Sequence, residues 1–169
     1  MNQPKPLIVE GAEELVYFEQ FLLREARLLD EQKLDEWSSL FIEDGEYWVP
    51  VTPDQPDAKN HISLMYETDL LRAVRIKRYS HPNAFSLQPM PRSSHIVTNV
   101  LIDAKDEAAN EYDIFSKFIV AFYRNDVQDF YTGTYKHRLR IENNLCKIVM
   151  KKVELINCDA ALENIMLYF

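Results

Sequence analysis

Hydrophobic residues in the first half of the chain recur with helical spacing. Over residues 13–29 they fall three and four positions apart, which predicts an amphipathic helix with a broad buried face. The same spacing over 34–41 predicts a short second helix, and Asp44-Gly45 then predicts a turn. A third helix is predicted over 68–78, apolar inside and basic outside. Its expected inward residues are Leu70, Leu71, Val74 and Ile76, and its expected outward residues are Arg72, Arg75, Lys77 and Arg78.

Strand patterns dominate the remainder of the chain. Residues 46–51 alternate and are rich in aromatic and β-branched side chains, and residues 62–66 form a shorter candidate strand. Three prolines between residues 80 and 94 argue against regular structure there. Four long strands are predicted after it, over residues 95–103, 111–124, 129–141 and 145–156. The second of these is apolar on both faces, so we expect both of its faces to be buried.

The last strand changes the parity of its apolar residues. Cys146, Ile148 and Met150 share one face, whereas Val153 and Leu155 share the other. A bulge near Lys151-Lys152 would keep both groups inward and would bend the sheet. Helices followed by long antiparallel strands predict an α+β fold, with the N-terminal helices packed in a strongly curved, mostly antiparallel sheet. This description resembles the cystatin-like cone of nuclear-transport-factor-2-like proteins, ketosteroid isomerase and scytalone dehydratase.

Charge limits the partners of the chain. The net charge of −8 argues against nucleic acid and anionic membranes, which would repel such a surface. The first 69 residues hold 16 of the 27 acidic side chains but only 5 of the 19 lysines and arginines. The acidic half and the mildly basic half can attract one another within a molecule or between copies. Solvated faces without a partner explain the same distribution equally well.

Length and composition indicate one domain over residues 1–169. The N-terminus lacks the charged and apolar regions of a secretion signal, so we expect a cytoplasmic protein. Two cysteines, Cys146 and Cys158, are too few for a disulfide framework, and we expect both to be thiols.

Two long motifs carry a resemblance to a known family. Residues 24–31 (REARLLDE), Leu34-Asp35-Glu36-Trp37 and residues 44–50 (DGEYWVP) resemble the N-terminal signature of the β subunits of ring-hydroxylating dioxygenases. Residues 91–100 (PRSSHIVTNV) resemble the beginning of a strand in the same family. Tyr66-Glu67-Thr68 departs from the family's usual Tyr-Asp-Asp, and Ser94 replaces a common arginine. The contacts of those family residues are therefore not carried over to this chain.

The resemblance implies a non-catalytic small subunit in the catabolism of aromatic compounds. Such subunits form a trimeric base for three iron-bearing α subunits, an α3β3 hexamer. The α subunit holds a Rieske [2Fe–2S] cluster and a mononuclear Fe(II), and a reductase or ferredoxin component supplies electrons from NADH. An aromatic acid is favoured over a neutral arene as substrate, although ring specificity resides mainly in α.

The residues of the chain agree with a subunit that carries no iron of its own. A Rieske cluster needs two Cys and two His in paired motifs, and no histidine lies near Cys146 or Cys158. The four histidines, His61, His81, His95 and His137, are scattered, which makes a convergent iron site improbable. No phosphate-binding loop, nucleophile elbow or zinc-protease motif occurs.

We therefore predict no catalytic, cofactor-binding or metal-binding residue, and instead a set of interface candidates. They are Tyr47, Trp48, Arg72, Arg75, Arg78, Arg92 and His95. Tyr47 and Trp48 should face opposite sides of a strand, one in the core and the other at an interface or pocket. The three arginines of the third helix suit carboxylates across an interface, although a solvated face explains them as well. His95 matches the family pattern, but a histidine bonded to neighbouring backbone would look the same.

The competing hypothesis is a stand-alone isomerase or dehydratase built in the same cone. There an acid in an apolar pocket would abstract a proton beside a carbonyl. Asp103, Asp113 or His95 with a tyrosine donor are conceivable candidates, but no spacing selects them. A scaffold should fill its cone with apolar side chains, whereas an enzyme should keep an open pocket with an acid at its bottom.

Overall fold

The computed structural model describes residues 11–79, 81, 88–162 and 165–169. Three helices and six strands occur in these ranges. The helices are α1 (Ala12–Asp30), α2 (Leu34–Ser38) and α3 (Asp69–Tyr79). The strands are β1 (Phe41–Pro50), β2 (Ser63–Glu67), β3 (Arg92–Asp106), β4 (Glu111–Arg124), β5 (Val127–Glu142) and β6 (Leu145–Leu155).

All six strands belong to one mixed sheet, in the order β2-β1-β6-β5-β4-β3. β1 and β6 run parallel, and the other neighbours are antiparallel. Irregularities in register interrupt four of the five strand pairs, and such bulges bend a sheet. Helix α1 buries its apolar face in the same core as the inward residues of the strands. The predicted α+β cone is confirmed.

Helix α1 follows its sequence pattern closely. Phe18, Leu22, Ala26 and Leu29 form its buried face, and Glu13 and Glu14 lie in the first turn, where carboxylates favour the helix dipole. Helix α2 ends at Ser38, three residues before the predicted end, because Phe41 already belongs to β1 and pairs with Ile148.

Asp44-Gly45 is not a turn as predicted but lies within β1, where the register to β6 shifts. Gly45 is required there because a Cβ atom would lie 2.9 Å from the carbonyl oxygens of Ile42 and Ile148.

Helix α3 has the predicted length but a different inward face. Ile76 is buried as predicted, but Leu70, Leu71 and Val74 are exposed and Arg72 is buried in their place. The reason is tertiary: the guanidinium of Arg72 donates to the carbonyl oxygen of Gly45 at 3.0 Å and to Ser38 Oγ at 3.1 Å. The basic face predicted for this helix therefore lacks Arg72.

The predicted bulge exists in β6, but two residues earlier. Arg138 pairs with Met150 and Leu139 with Ile148, so Val149 is the extra residue. Cys146, Ile148, Val153 and Leu155 point inward as predicted. Because the parity changes at Val149, Lys151 also points inward and Met150 does not.

Strands β3 and β5 extend beyond their predicted bounds, β4 has the predicted bounds, and β6 ends one residue before its predicted end. β3 begins at Arg92, within the segment expected to be irregular, while residues 80 and 82–87 lie outside the described ranges. In β4 only one face is buried by this chain: Tyr112, Ile114, Phe118 and Val120 are covered. On the other face Ile119 remains 43% exposed.

Candidate functional site

Three charged or titratable side chains meet inside the cone. Glu25 lies on the buried face of α1, His137 on β5 and Lys151 on β6. Glu25 Oε1 accepts a hydrogen bond from Lys151 Nζ at 2.7 Å and one from Trp37 Nε1 at 3.1 Å. Glu25 Oε2 lies 3.0 Å from His137 Nε2. The three side chains are 2% exposed or less, so neither solvent nor a substrate reaches them.

The electrostatics of this cluster favour an ionised carboxylate beside a neutral imidazole. Burial opposes the ionisation of Glu25, but the Lys151 ammonium and the His137 ring outweigh it and hold the pKa of Glu25 well below its usual range. Burial also lowers the pKa of His137. We therefore assign the imidazole proton to Nε2, where it is donated to Glu25, and leave Nδ1 as a buried acceptor without a protein partner.

Aromatic side chains fill the space around the cluster. Phe118 and Tyr135 stack with ring centroids 4.0 Å apart, and Trp37 contacts the rings of Phe41, Tyr47 and Tyr168. The C-terminal Phe169 is fully buried, and its backbone N–H donates to Tyr47 Oη at 3.0 Å. A cavity of about 30 Å³ near Gln32 and Tyr168 is large enough for a water molecule but not for a cyclic substrate.

The residues considered for a cone enzyme do not form a site. Asp103 is exposed, and Asp113 forms an ion pair with Arg138 at 2.9 Å. His95 faces the inner side of the sheet, because it pairs with the buried Val120, whereas Asp113 has the opposite parity in β4. The structure brings none of the three together.

Three of the interface candidates, Tyr47, Trp48 and Arg72, are buried within the chain, and the outward direction predicted for Arg72 is wrong. Tyr47 belongs to the aromatic core. Trp48 faces the other side of β1, as predicted for adjacent residues, but the chain covers it: its Nε1 donates to Ser63 Oγ at 3.0 Å, and Lys152 Nζ lies 4.2 Å from its ring centroid. The side chain of Arg72 is 0% exposed.

Arg75, Arg78 and Arg92 keep part or all of their side chains at the surface. Arg75 is one-third exposed and forms an ion pair with Glu67, whose other oxygen accepts a hydrogen bond from Tyr168 Oη at 2.7 Å. Glu67, one of the departures from the family sequence, thus ties α3 to the C-terminal residues. Arg78 and Arg92 are exposed, and the Arg92 guanidinium lies 4.6 Å from the ring centroid of Tyr123.

His95 is a buried structural histidine whose partner is a side chain rather than backbone. Its Nδ1 lies 2.6 Å from Asp30 Oδ1, and its backbone N–H donates to Asp30 Oδ2 at 2.9 Å. Burial raises the pKa of Asp30, but the bonds from His95 and Ser93 outweigh burial and lower it. The ring is 1% exposed. It anchors the end of α1 to β3.

The outer face of the sheet carries an apolar surface that the chain leaves uncovered. Its members are Ile96 on β3, Ile119 and Ala121 on β4, and Phe130 on β5, and we call them the outer-sheet patch. The register places Ile96 opposite Ile119, and Ala121 opposite Phe130. Ile96 is 57% exposed and Phe130 is 63% exposed. The sequence had indicated this face through the two-sided pattern of β4.

The buried Glu25 cluster was not predicted, although a signal for it exists. Glu25 lies three residues after Leu22 and four before Leu29, the spacing of the buried face of α1. A carboxylate at such a position needs a partner inside. His137 and Lys151 supply it from paired positions on β5 and β6.

Comparison with known proteins identifies the family. The model of the ring hydroxylating beta subunit family matches residues 24–160. The 2-halobenzoate 1,2-dioxygenase small subunit of Burkholderia cepacia is 30% identical over 142 residues, covering 81% of this chain and 85% of that protein. The crystal structure of the beta subunit of the benzoate 1,2-dioxygenase of Burkholderia mallei superimposes with a TM-score of 0.75. It is 26% identical and covers 91% of this chain and 97% of the other. This chain belongs to the β-subunit family of aromatic-ring-hydroxylating dioxygenases.

The cone itself is shared more widely. A putative scytalone dehydratase of Novosphingobium aromaticivorans has a TM-score of 0.63 at 16% identity, over 86% of this chain and 85% of that protein, which shows likeness of fold alone. Within the described ranges, no group of three or more His, Cys, Asp and Glu side chains is arranged to hold a metal ion. No helix in those ranges has the length and apolarity needed to cross a membrane.

Proposed function

We propose that this chain is the structural, non-catalytic subunit of an NADH-dependent oxygenase that hydroxylates aromatic rings. One observation carries the proposal: among the described residues, the carboxylate inside the cone, Glu25, is 2% exposed, while the outer-sheet patch is uncovered. A protein that offers no accessible acid inside and an apolar sheet surface outside is suited to assembly rather than to chemistry.

The outer-sheet patch supports self-association of the chain. Large apolar side chains exposed side by side on neighbouring strands are rare on monomers and typical of contacts between subunits. In a trimer, three copies would cover these faces around one axis. Three β subunits would then form the base of a hexamer with three α subunits. Arg78 and Arg92 stay available as interface contacts, because both are exposed.

The iron chemistry belongs, in this proposal, to the partner. An α subunit would carry the Rieske [2Fe–2S] cluster and the mononuclear Fe(II), and a reductase or ferredoxin component would deliver electrons from NADH. The cytoplasm is the compartment that supplies this reductant. An aromatic acid as the substrate stays a prediction of the sequence, as does a single domain over residues 1–169.

Reconstitution tests the proposal. The chain and its α subunit are purified separately, and oxygenation of an aromatic substrate is measured with each alone and with both. We expect activity and iron only where α is present, and a higher yield of stable α when this chain is added. Turnover of a small enone or hydroxy ketone by the chain alone, as a monomer, would establish the competing cone enzyme.

A further inference from the structure

A second surface lies between helix α1 and the beginning of β6. Its floor and walls include Tyr17, Arg24 and Arg27 from α1 and Leu145, Cys146 and Lys147 from β6, and we call it the α1–β6 groove. The groove encloses about 660 Å³ and is open to solvent along one side. No member of the outer-sheet patch lines it.

The groove is positively charged in a chain that is otherwise acidic. Arg24, Arg27 and Lys147 line it, and no carboxylate does, whereas the whole chain has a net charge of −8. Arg27 is paired with Glu31 at 2.6 Å, and Lys147 Nζ donates to the carbonyl oxygen of Ser39 at 2.7 Å. Arg24 is exposed, and no described carboxylate forms an ion pair with it. The groove therefore attracts an acidic group from outside the chain.

Apolar side chains lie directly beside these cations. Tyr17 is 41% exposed, Leu23 is 49% exposed and Leu145 is 62% exposed. The thiol of Cys146 at the base is buried, and burial raises its pKa to about 12, so it acts as an apolar contact rather than a nucleophile. An occupant must bring both a carboxylate and an apolar side chain to match this lining.

The assembly proposed above leaves this groove free for a different chain. Copies that pack through β3, β4 and β5 cover the outer-sheet patch, but the groove is built from α1, the α2–β1 connection and the start of β6. We infer that the α1–β6 groove seats a segment of the large oxygenase subunit that carries a carboxylate next to an apolar side chain. This inference rests on the proposed function.

Charge reversal in the groove tests it. The affinity between separately purified α subunit and this chain is measured by calorimetry for the wild type, for Arg24→Glu and for the milder Arg24→Ala. Lys59→Glu is the matched control, since Lys59 is also exposed but lies in the loop after β1. We expect Arg24→Glu to weaken association by about tenfold or more, Arg24→Ala by less, and the control to leave it unchanged.

Hydrogen exchange locates the contact and separates the outcomes. Peptides covering residues 17–27 and 144–147 should become protected when α is added, and not when this chain merely self-associates. If Arg24→Glu bound the α subunit with wild-type affinity, the inferred role of the groove would be wrong, and the proposed function would be unaffected. Protection of the groove in the chain alone would assign it to another copy and overturn the inference. Absence of any complex with α would overturn both proposals.

Discussion

Replacing Lys151 by methionine removes the ammonium that pairs with Glu25 inside the cone. The side chains have similar length, so the packing against the Tyr135 ring, 4.5 Å from Lys151 Nζ, is largely kept. What changes is the charge: Glu25 keeps the Trp37 and His137 donors but loses its only cation among the described residues. Breaking a buried pair by removing one partner typically costs about 3–5 kcal/mol.

We therefore expect Lys151→Met to lower the free energy of unfolding by about 3–5 kcal/mol at pH 7. Folded proteins are stable by only about 5–15 kcal/mol, so this is a large fraction of the total. The second prediction concerns the pair: adding Glu25→Gln to Lys151→Met removes the unpaired charge and should restore about 2 kcal/mol or more.

Urea unfolding at one fixed protein concentration measures these values, because self-association adds to apparent stability. Fluorescence reports the transition through Trp37, whose indole bonds to Glu25. Lowering the pH from 7 to 5 should narrow the gap between Lys151→Met and wild type, since the unpaired carboxyl becomes protonated. A loss under about 1 kcal/mol, or a double variant as unstable as the sum of the singles, would show that Lys151 and Glu25 do not form a stabilising pair.

Three further predictions follow from the described contacts. His137 and Glu25 bind fewer protons in the folded than in the unfolded chain, because both pKa values are lowered by folding. The free energy of unfolding should therefore fall as the pH drops below 6.5 and again as it drops below 4.5. His137→Gln should remove most of the fall below pH 6.5. Phe130→Lys should shift the chain toward monomer in sedimentation velocity without changing its circular dichroism. Gly133→Ala should cost at least about 2 kcal/mol in urea unfolding, because a Cβ atom would lie 2.0 Å from the Glu154 carbonyl oxygen.

The sequence predicted those elements whose pattern is local. Helix α1 was found to within one residue at each end, because its apolar residues alone define its buried face. The parity change in the last strand correctly indicated a bulge, since apolar side chains on both sides of it had to point inward. The two-sided pattern of β4 likewise indicated a face that its own chain does not bury.

The sequence failed where a distant partner decides the direction of a side chain. Arg72 points inward because its guanidinium donates hydrogen bonds to Ser38 Oγ and to the Gly45 carbonyl oxygen. The spacing of residues within α3 does not reveal these partners. The bulge was placed two residues late because Met150 was grouped with the inward residues, whereas Lys151 points inward instead and is stabilised there by Glu25 on a different element. Whether a charged side chain is buried depends on its tertiary partners rather than on the periodicity of the sequence.

Native mass spectrometry of the chain co-expressed with its large subunit, combined with iron analysis, tests whether this chain is a structural subunit. We expect a complex with equal copies of both subunits, three of each, and all iron and acid-labile sulfide in the large subunit after separation. A chain that stays monomeric in the presence of the large subunit, or that retains iron after separation, would contradict it.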